Sequence, residues 1–362
     1  MTDEYKVNTY QPLTIRNSLN QILPLIGYNP DAGLIIGVTD TYTYNGFGQN
    51  PFTQQHTFDA RYFFATSGFG LGYKGEFANT FGSANLEIAA RFTSPNFSIN
   101  FFGLGNETEN LDDNLGLNYN RVRLGTIKLA PSLIWRGDMG GKVRTGISYE
   151  SIEVEETEDR FINTYYQMNG EETQKAFVGL DVEYGFENTD NTAFPTLGMT
   201  TSLHVGYKTE IGGEGNFGYI IPSLGFAYKL VPSGKLVLAT KWKAHFNIGD
   251  GFEFYQAASI GGVDGLRGFR NERFTGKKSY YQNTDLRWSL GKMRTGILPT
   301  AFGFYGGFDY GRVWNPNERS NTWHTSYGGG VFLDASGIAS IRAAVFNSDD
   351  GIRISFGLGF GF

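Results

Sequence analysis

The sequence predicts an all-β fold, a sixteen-stranded antiparallel barrel that crosses a membrane, and three observations lead there. The 362 residues hold 50 Gly, 31 Phe and 21 Tyr but only 11 Pro, with charged residues at 18%, a balance that suits many strands better than disorder or collagen. Apolar and polar residues alternate over stretches of ~10 to 12 residues, longer than the usual ~5 to 6 and matching a tilted membrane strand. The connections between these stretches alternate between short turns and a set that includes long loops, as in a bacterial outer-membrane barrel.

Taken in order, the candidate strands are 34–44, 56–66, 69–78, 85–93, 97–102, 118–135, 143–154, 173–187, 197–209, 217–230, 235–247, 280–290, 300–314, 323–334, 338–346 and 351–362. In the second, Phe58, Ala60, Tyr62 and Phe64 share one face while Asp59 and Arg61 share the other. The fourth sets Leu86, Ile88, Ala90 and Phe92 against Glu87 and Arg91, and the eighth sets Val178, Leu180, Val182 and Tyr184 against Lys175, Asp181 and Glu183. In the eleventh, Leu236, Leu238, Trp242 and Phe246 oppose Lys241, Lys243, His245 and Asn247. Charges gathered on one face of each strand suit a polar lumen, with the apolar face toward lipid. A soluble sandwich would turn the charges outward, but strands this long disfavour it.

Tyr42/Tyr44, Tyr165/Tyr166 and Tyr280/Tyr281 fall near strand ends, where interfacial girdles belong. Short connections are 67–68, 94–96, 231–234 and 335–337; the other set includes 45–55, 103–117, 155–172 and 248–279. An even strand count returns the carboxyl terminus to the periplasmic side. The expected domain organisation is a lead-in or periplasmic or lumen-associated segment over 1–33, polar apart from Ile22-Leu23-Pro24-Leu25-Ile26, followed by the barrel over 34–362.

Several functions are excluded at this level. Without cysteine there is no disulfide scaffold, thiolate metal site or cysteine nucleophile. A net charge of -6 offers no basic excess for nucleic acid. Apolar runs such as Gly33–Val38 are far shorter than the ~18 to 20 residues of a membrane helix. Residues 1–6 begin acidic and polar, so the expectation is a mature fragment without a signal peptide. Gly70-Leu71-Gly72-Tyr73-Lys74-Gly75 spells a dinucleotide motif but lies within a strand and opens no helix. His56, His204, His245 and His324 are scattered, so no metal or cofactor is expected and no catalytic residue is assigned. Glu153, Glu155, Glu156, Glu158 and Asp159 read as a solvated outer loop, with divalent-ion bridging to lipopolysaccharide as the alternative.

The longest loop carries Gly261-Gly262-Val263-Asp264-Gly265-Leu266-Arg267-Gly268-Phe269. This resembles the Arg-Gly-Phe/Tyr motif in the sixth outer loop of the BamA, TamA and FhaC superfamily of outer-membrane insertases and two-partner secretion transporters. Asn283-Thr284-Asp285-Leu286-Arg287 and Gly307-Phe308-Asp309-Tyr310-Gly311-Arg312-Val313-Trp314 resemble later segments of that family, in the same order. The resemblance implies a loop folded into the lumen, with its Arg meeting acidic residues on the inner wall. Parity agrees, since Asp285 and Asp309 fall on the faces opposite Leu286, Trp288 and Phe308. A latch of Arg267 with Asp285 and Asp309 is therefore expected, Gly268 allowing close approach to the wall and Phe269 packing against it. The ordinary alternative is a solvated loop arginine.

Phe356, Leu358, Phe360 and Phe362 resemble the carboxyl-terminal assembly signal of outer-membrane barrels. The family further implies a seam between first and last strands, here 34–44 and 351–362, that opens to template a client strand. Gly357, Gly359 and Gly361 suit a weakly held seam and equally suit tight packing in the lumen. Tyr28–Leu34 and Asn100–Thr108 resemble barrels fused to a metallophosphoesterase in Bacteroidetes-type bacteria, which lack periplasmic POTRA domains. Three functions follow: insertion or translocation of client outer-membrane proteins, a membrane anchor and conduit for a hydrolase or other upstream periplasmic domain in the same chain, and a passive porin. The expected surroundings are outer-membrane lipid and lipopolysaccharide.

Overall fold

The computed structural model describes residues 18–46, 52–137, 139–169, 172–191, 194–262, 265–294, 299–316, 318–335 and 339–360. The strands are β1 (Leu19–Asn29), β2 (Gly33–Tyr44), β3 (Gln54–Phe63), β4 (Gly68–Phe81), β5 (Ala84–Thr93), β6 (Ser98–Asn100), β7 (Arg121–Arg136), β8 (Gly141–Glu155), β9 (Gln174–Thr189) and β10 (Gly198–Glu210). They continue with β11 (Asn216–Lys229), β12 (Leu236–Ile248), β13 (Ala258–Ile260), β14 (Phe274–Gly276), β15 (Lys278–Arg294), β16 (Pro299–Trp314), β17 (His324–Ala335), β18 (Ala339–Ser348) and β19 (Gly351–Phe360). Neighbouring wall strands are antiparallel, and β1 pairs with β19 to close the sheet on itself. Closure satisfies the backbone without leaving an open edge in lipid.

β5 and β6 both pair with β7 and form one wall strand, broken where Pro95 lacks an N–H and Phe97 N–H turns back to the Ser94 carbonyl. The small β13–β14 hairpin lies outside the main sheet. The wall therefore has sixteen strands.

Two sequence expectations are corrected, and their errors offset in the count. Leu19–Asn29 is a full wall strand rather than part of a lead-in, so the expected boundary at residue 34 is wrong and the barrel begins no later than Leu19. The alternation was hidden because Leu23 and Leu25 sit on the inward face, opposite exposed Ile22 and Ile26, which turns the strand into one apolar run. Pro24, a residue that central strands seldom hold, lies outside the part of β1 that pairs with β19 among the described residues. The second error counted 97–102 as a separate strand. With β1 restored, the β2–β3 connection, expected over 45–55, falls at the end of the barrel where β1 begins and β19 ends. The seam strand opposite β19 is β1, not 34–44.

The β1–β2 turn is made locally. Asn29 Oδ1 accepts from the backbone N–H of Asp31 and Ala32 at 3.0 and 2.8 Å, and Gly33 takes φ +67°. Connections 101–120, 156–173 and 249–277 share the end that carries this turn, which marks it as the outer one. They share a core in which Phe101, Ile162, Tyr166 and Phe254 are buried, with Phe101 and Phe254 centroids 4.6 Å apart. Outward positions of the wall stay exposed, Leu286 at 48% and Trp288 at 58%, as a lipid-facing surface requires. The inward face carries paired charges: Arg144 lies 3.0 Å from Glu87 and 2.8 Å from Asp181, and Lys208 lies 2.8 Å from Glu150.

Candidate functional site

The loop between β12 and β15 is shaped before it meets the wall. β13 and β14 draw its two halves together, and Gly261 (φ +138°) and Gly262 (φ +64°) turn the chain so that Gly262 N–H reaches the Leu266 carbonyl at 3.0 Å. Val263 and Asp264 lie outside the described residues. Ile260, Leu266, Phe269 and Phe274 then cluster with Tyr281 of β15 and Val313 of β16. Phe269 is 3% exposed, edge-on to Phe274 at 5.2 Å and to His324 at 5.9 Å.

That anchoring delivers Arg267 to two carboxylates. Its backbone N–H donates to Asp309 Oδ2 at 3.0 Å, Nε donates to the same oxygen at 3.0 Å, and Nη2 donates to Asp309 Oδ1 at 2.5 Å. Nη1 lies 2.8 Å from Asp285 Oδ1. Asp309 has no solvent exposure and also accepts from Ser326 Oγ at 2.9 Å. Such a planar, two-toothed grip is suited to guanidinium and not to ammonium. Burial works against the charge on Arg267, but hydrogen bonding to Asp309 and the fields of Asp285 and Asp309 hold it above its ordinary range. The guanidinium also lies 4.1 Å from the Phe346 ring centroid.

Gly268 sits against the wall with no room for a side chain. A Cβ there would meet Asn347 O and Ser326 Cβ at 2.8 Å, while Ser348 Oγ donates to the Gly268 carbonyl at 2.7 Å. Gly268→Val is expected to push the loop off β17 and β18 at a cost of ~1 to 3 kcal/mol. Faster protease cleavage within 249–277 checks this, and an unchanged rate with the barrel intact contradicts it.

Beyond the Arg-Gly-Phe tripeptide, two more arginines tie the loop to both flanks of the seam. Arg270, 1% exposed, lies 2.6 Å from Asp31 in the β1–β2 turn and 2.6 Å from Asp112, and donates to Asn100 Oδ1 at 2.7 Å. Arg273 lies 2.6 Å from Asp350 in the β18–β19 turn and donates to Thr108 Oγ1 at 2.8 Å.

At the seam, the residues in register are Ile26–Leu358, Gly27–Gly357 and Tyr28–Phe356. Every other pair of neighbouring full wall strands is aligned over nine residues or more among the described residues. A Cβ on Gly357 would meet nothing within 4 Å, so close packing does not require glycine there. Gly359 and Phe360 lie in β19 opposite Ser340 and Ala339; Gly361 and Phe362 lie outside the described residues. Phe356 is 39% exposed on the lipid-facing side with Leu358.

At the opposite end, the turn between β9 and β10 reaches strands far around the wall. Phe194 stacks on Phe332 of β17 at 4.2 Å, with Arg287 and Arg342 at 4.5 and 4.6 Å from its centroid. Asn191 donates to Asp334 at 3.0 Å. The turn is braced by Asp190: burial raises its pKa, but hydrogen bonds from Thr196, Leu197 and Lys229 bring it down to about 2. A cavity of about 610 Å³ has Arg267 and Asp285 in its lining together with Pro195 of the turn, Arg287 and Arg342.

A family model for the Omp85 superfamily domain matches residues 68–362. The chain belongs to the Omp85 superfamily. It is an outer-membrane β-barrel. Among solved structures, it resembles BamA from Haemophilus ducreyi lacking POTRA domains 1-3, with TM-score 0.68 and 15% identity, over 94% of this chain and 70% of that one. It also resembles CdiB from Acinetobacter baumannii, with TM-score 0.58 and 13% identity, over 96% of this chain and 60% of that one. For CdiB from Escherichia coli the TM-score is 0.60 at 13% identity, over 94% of this chain and 63% of that one. This Omp85 chain thus spans less than two thirds of the length of the CdiB chains it matches. No curated protein sequence matches it significantly.

Several residues of this Omp85 site escaped the sequence reading. Gly307 would place a Cβ 2.7 Å from Arg267 Nη2, so its lack of a side chain makes the space for the guanidinium. Phe346 shares the inward face of β18 with Arg342, and that parity was a usable signal. Arg270 and Arg273 left none, because their partners are distant in sequence, and Ser326 meets Asp309 only through the register of β16 with β17.

Proposed function

We propose that this barrel acts in insertion or translocation of proteins at the outer membrane, with the β1–β19 seam as the element that opens. The observation that carries this reading is the seam itself, three residues in register among the described residues where every other full wall pair has at least nine. A client strand pairs with backbone edges, and the weakest closure in the wall is where such edges become available. In this reading the loop 249–277 lies folded into the barrel with Arg267, Asp285 and Asp309 as its latch, and the barrel itself is non-catalytic. Glycine at 27 and 357 removes side-chain packing from the inward face of the seam.

The test exploits a chain without cysteine. Gly27→Cys with Gly357→Cys places two thiols across the seam; oxidised, the barrel is expected to lose acceleration of client-barrel folding in liposomes, and reductant is expected to restore it. Equal acceleration in the locked and unlocked forms overturns the reading.

A second reading, an anchor for a fused metallophosphoesterase, draws on a specific meeting of residues. Asp31 and Asn100, from the two segments that carry that resemblance, both bind Arg270. Sequencing the gene upstream of residue 1 tests it. The porin reading is disfavoured by the residues that the loop and the β9–β10 turn contribute to one lumenal cavity.

A further inference from the structure

Asp40 breaks the rule that governs the rest of its strand. On β2 the outward positions are Leu34, Ile36 and Val38, then Tyr42 and Tyr44, each 40 to 46% exposed. Asp40 occupies the outward position between Val38 and Tyr42. Its Oδ1 is shut away from solvent and accepts no hydrogen bond. Asp40 as a whole is half-buried at this lipid-facing position, and a carboxylate there with one oxygen closed off and unpartnered among the described residues is costly unless a cation meets its accessible side from outside.

The surface beside it is shaped. A groove of about 640 Å³ runs across β2 to β7 on the lipid face, with Asp40 at one end and Phe58, Leu71, Tyr73, Ile127 and Leu129 along it. Register explains its form. Asp40 pairs with Phe58, Phe58 with Tyr73, Tyr73 with Ala90 and Ala90 with Leu129; one outward step away, Val38 pairs with Ala60 and Ala60 with Leu71. Ala60 and Ala90 are the small residues among bulky ones, and they form the floor. One outward step beyond Phe58, His56 Nδ1 and Tyr73 OH lie 3.0 Å apart, so the groove has a polar rim on the Tyr42 side.

We propose that this groove binds a phospholipid with a primary-amine headgroup, its ammonium on Asp40 and an acyl chain over Ala60 and Ala90. The charge chooses the headgroup, because an ammonium brings three donors and a positive charge to a carboxylate that lacks both. Depth chooses the leaflet: β2 begins at the outer turn, and Asp40 lies in its far half beside Tyr42 and Tyr44, where an inner-leaflet headgroup sits. A phosphatidylglycerol headgroup would bring negative charge to the acid, and phosphatidylcholine offers a cation without an N–H donor. The site is independent of seam opening.

Native mass spectrometry of the purified barrel, with phosphatidylethanolamine, phosphatidylglycerol and phosphatidylcholine of matched chains, tests this. Phosphatidylethanolamine is expected to be retained several-fold over the other two. Asp40→Asn is expected to lower it to the phosphatidylcholine level, and Ala60→Leu with Ala90→Leu to lower retention of all three. Equal retention of the three lipids, an unchanged preference in Asp40→Asn, or a second copy of the chain seated on this face each overturns the proposal. Heat-modifiable migration on gels checks that each variant is folded.

Discussion

Arg267→Ala is expected to give a folded barrel whose 249–277 segment is cut by protease about two to three orders of magnitude faster than in the wild type. The size follows from what the substitution leaves behind. Asp309 has no solvent exposure, and it would keep its Ser326 hydrogen bond and backbone donor while losing its cation. Stranding one member of a buried pair costs ~3 to 5 kcal/mol, and the open state alone escapes that cost, so the loop's open population rises. Arg267→Lys is expected to fall between the two, since an ammonium meets Asp309 or Asp285 but cannot grip both in one plane. The wall is held by its own ladders, so heat-modifiable migration is expected to survive. Unchanged cleavage in a folded Arg267→Ala barrel would show that the apolar cluster of Leu266, Phe269 and Phe274, with Arg270 and Arg273, holds the loop without the latch.

The parts of the fold legible in the sequence are those governed by a period of two. Leu286, Trp288 and Phe308 announced their faces, and with them the inward placement of Asp285 and Asp309, because lipid outside and charge inside enforce alternation at every step. β1 was not legible because that contrast fails on it: Leu23 and Leu25 line the inner face, so the strand reads as one apolar patch. Position 45–55 went to the wrong end for the same reason. The meeting of Arg267 with Asp285 and Asp309 was legible because all three sit in short segments that resemble the family's motifs and because parity turns both acids inward. The clasp of Arg270 on Asp31 and Asp112, and of Arg273 on Asp350, joins residues 77 to 239 positions apart, which no local period encodes. Asp40 went unmarked although it breaks the parity of its strand, because its meaning depends on Ala60 and Ala90 arriving beside it from two other strands.

Phe194→Ala is expected to raise the conductance of the barrel several-fold in planar bilayers. The turn that carries Phe194 joins β9 to β10, while its contacts lie on β15, β17 and β18, so Asn191, Phe194 and Pro195 reach across the mouth at the end of the barrel where β1 begins. Three terms hold it there: stacking on Phe332 at ~0.5 to 1.5 kcal/mol, two guanidinium faces at ~0.5 to 2 kcal/mol each, and the burial of an aromatic ring. Truncation to alanine removes them together, a loss of ~3 to 5 kcal/mol, and leaves Arg287 and Arg342 facing one another without the ring between them. Their mutual repulsion then favours an open mouth. The converse variant closes it: Asn191→Cys with Asp334→Cys, bridged by a short cleavable thiol cross-linker across the span of the 3.0 Å hydrogen bond, is expected in its bridged, oxidised form to hold conductance below the wild-type level until reductant is added. A Phe194→Ala barrel that conducts no better than the wild type, with the oxidised pair equally without effect, would place the barrier to ions at the loop 249–277 instead, and the Arg267→Ala variant would then be the one whose conductance rises.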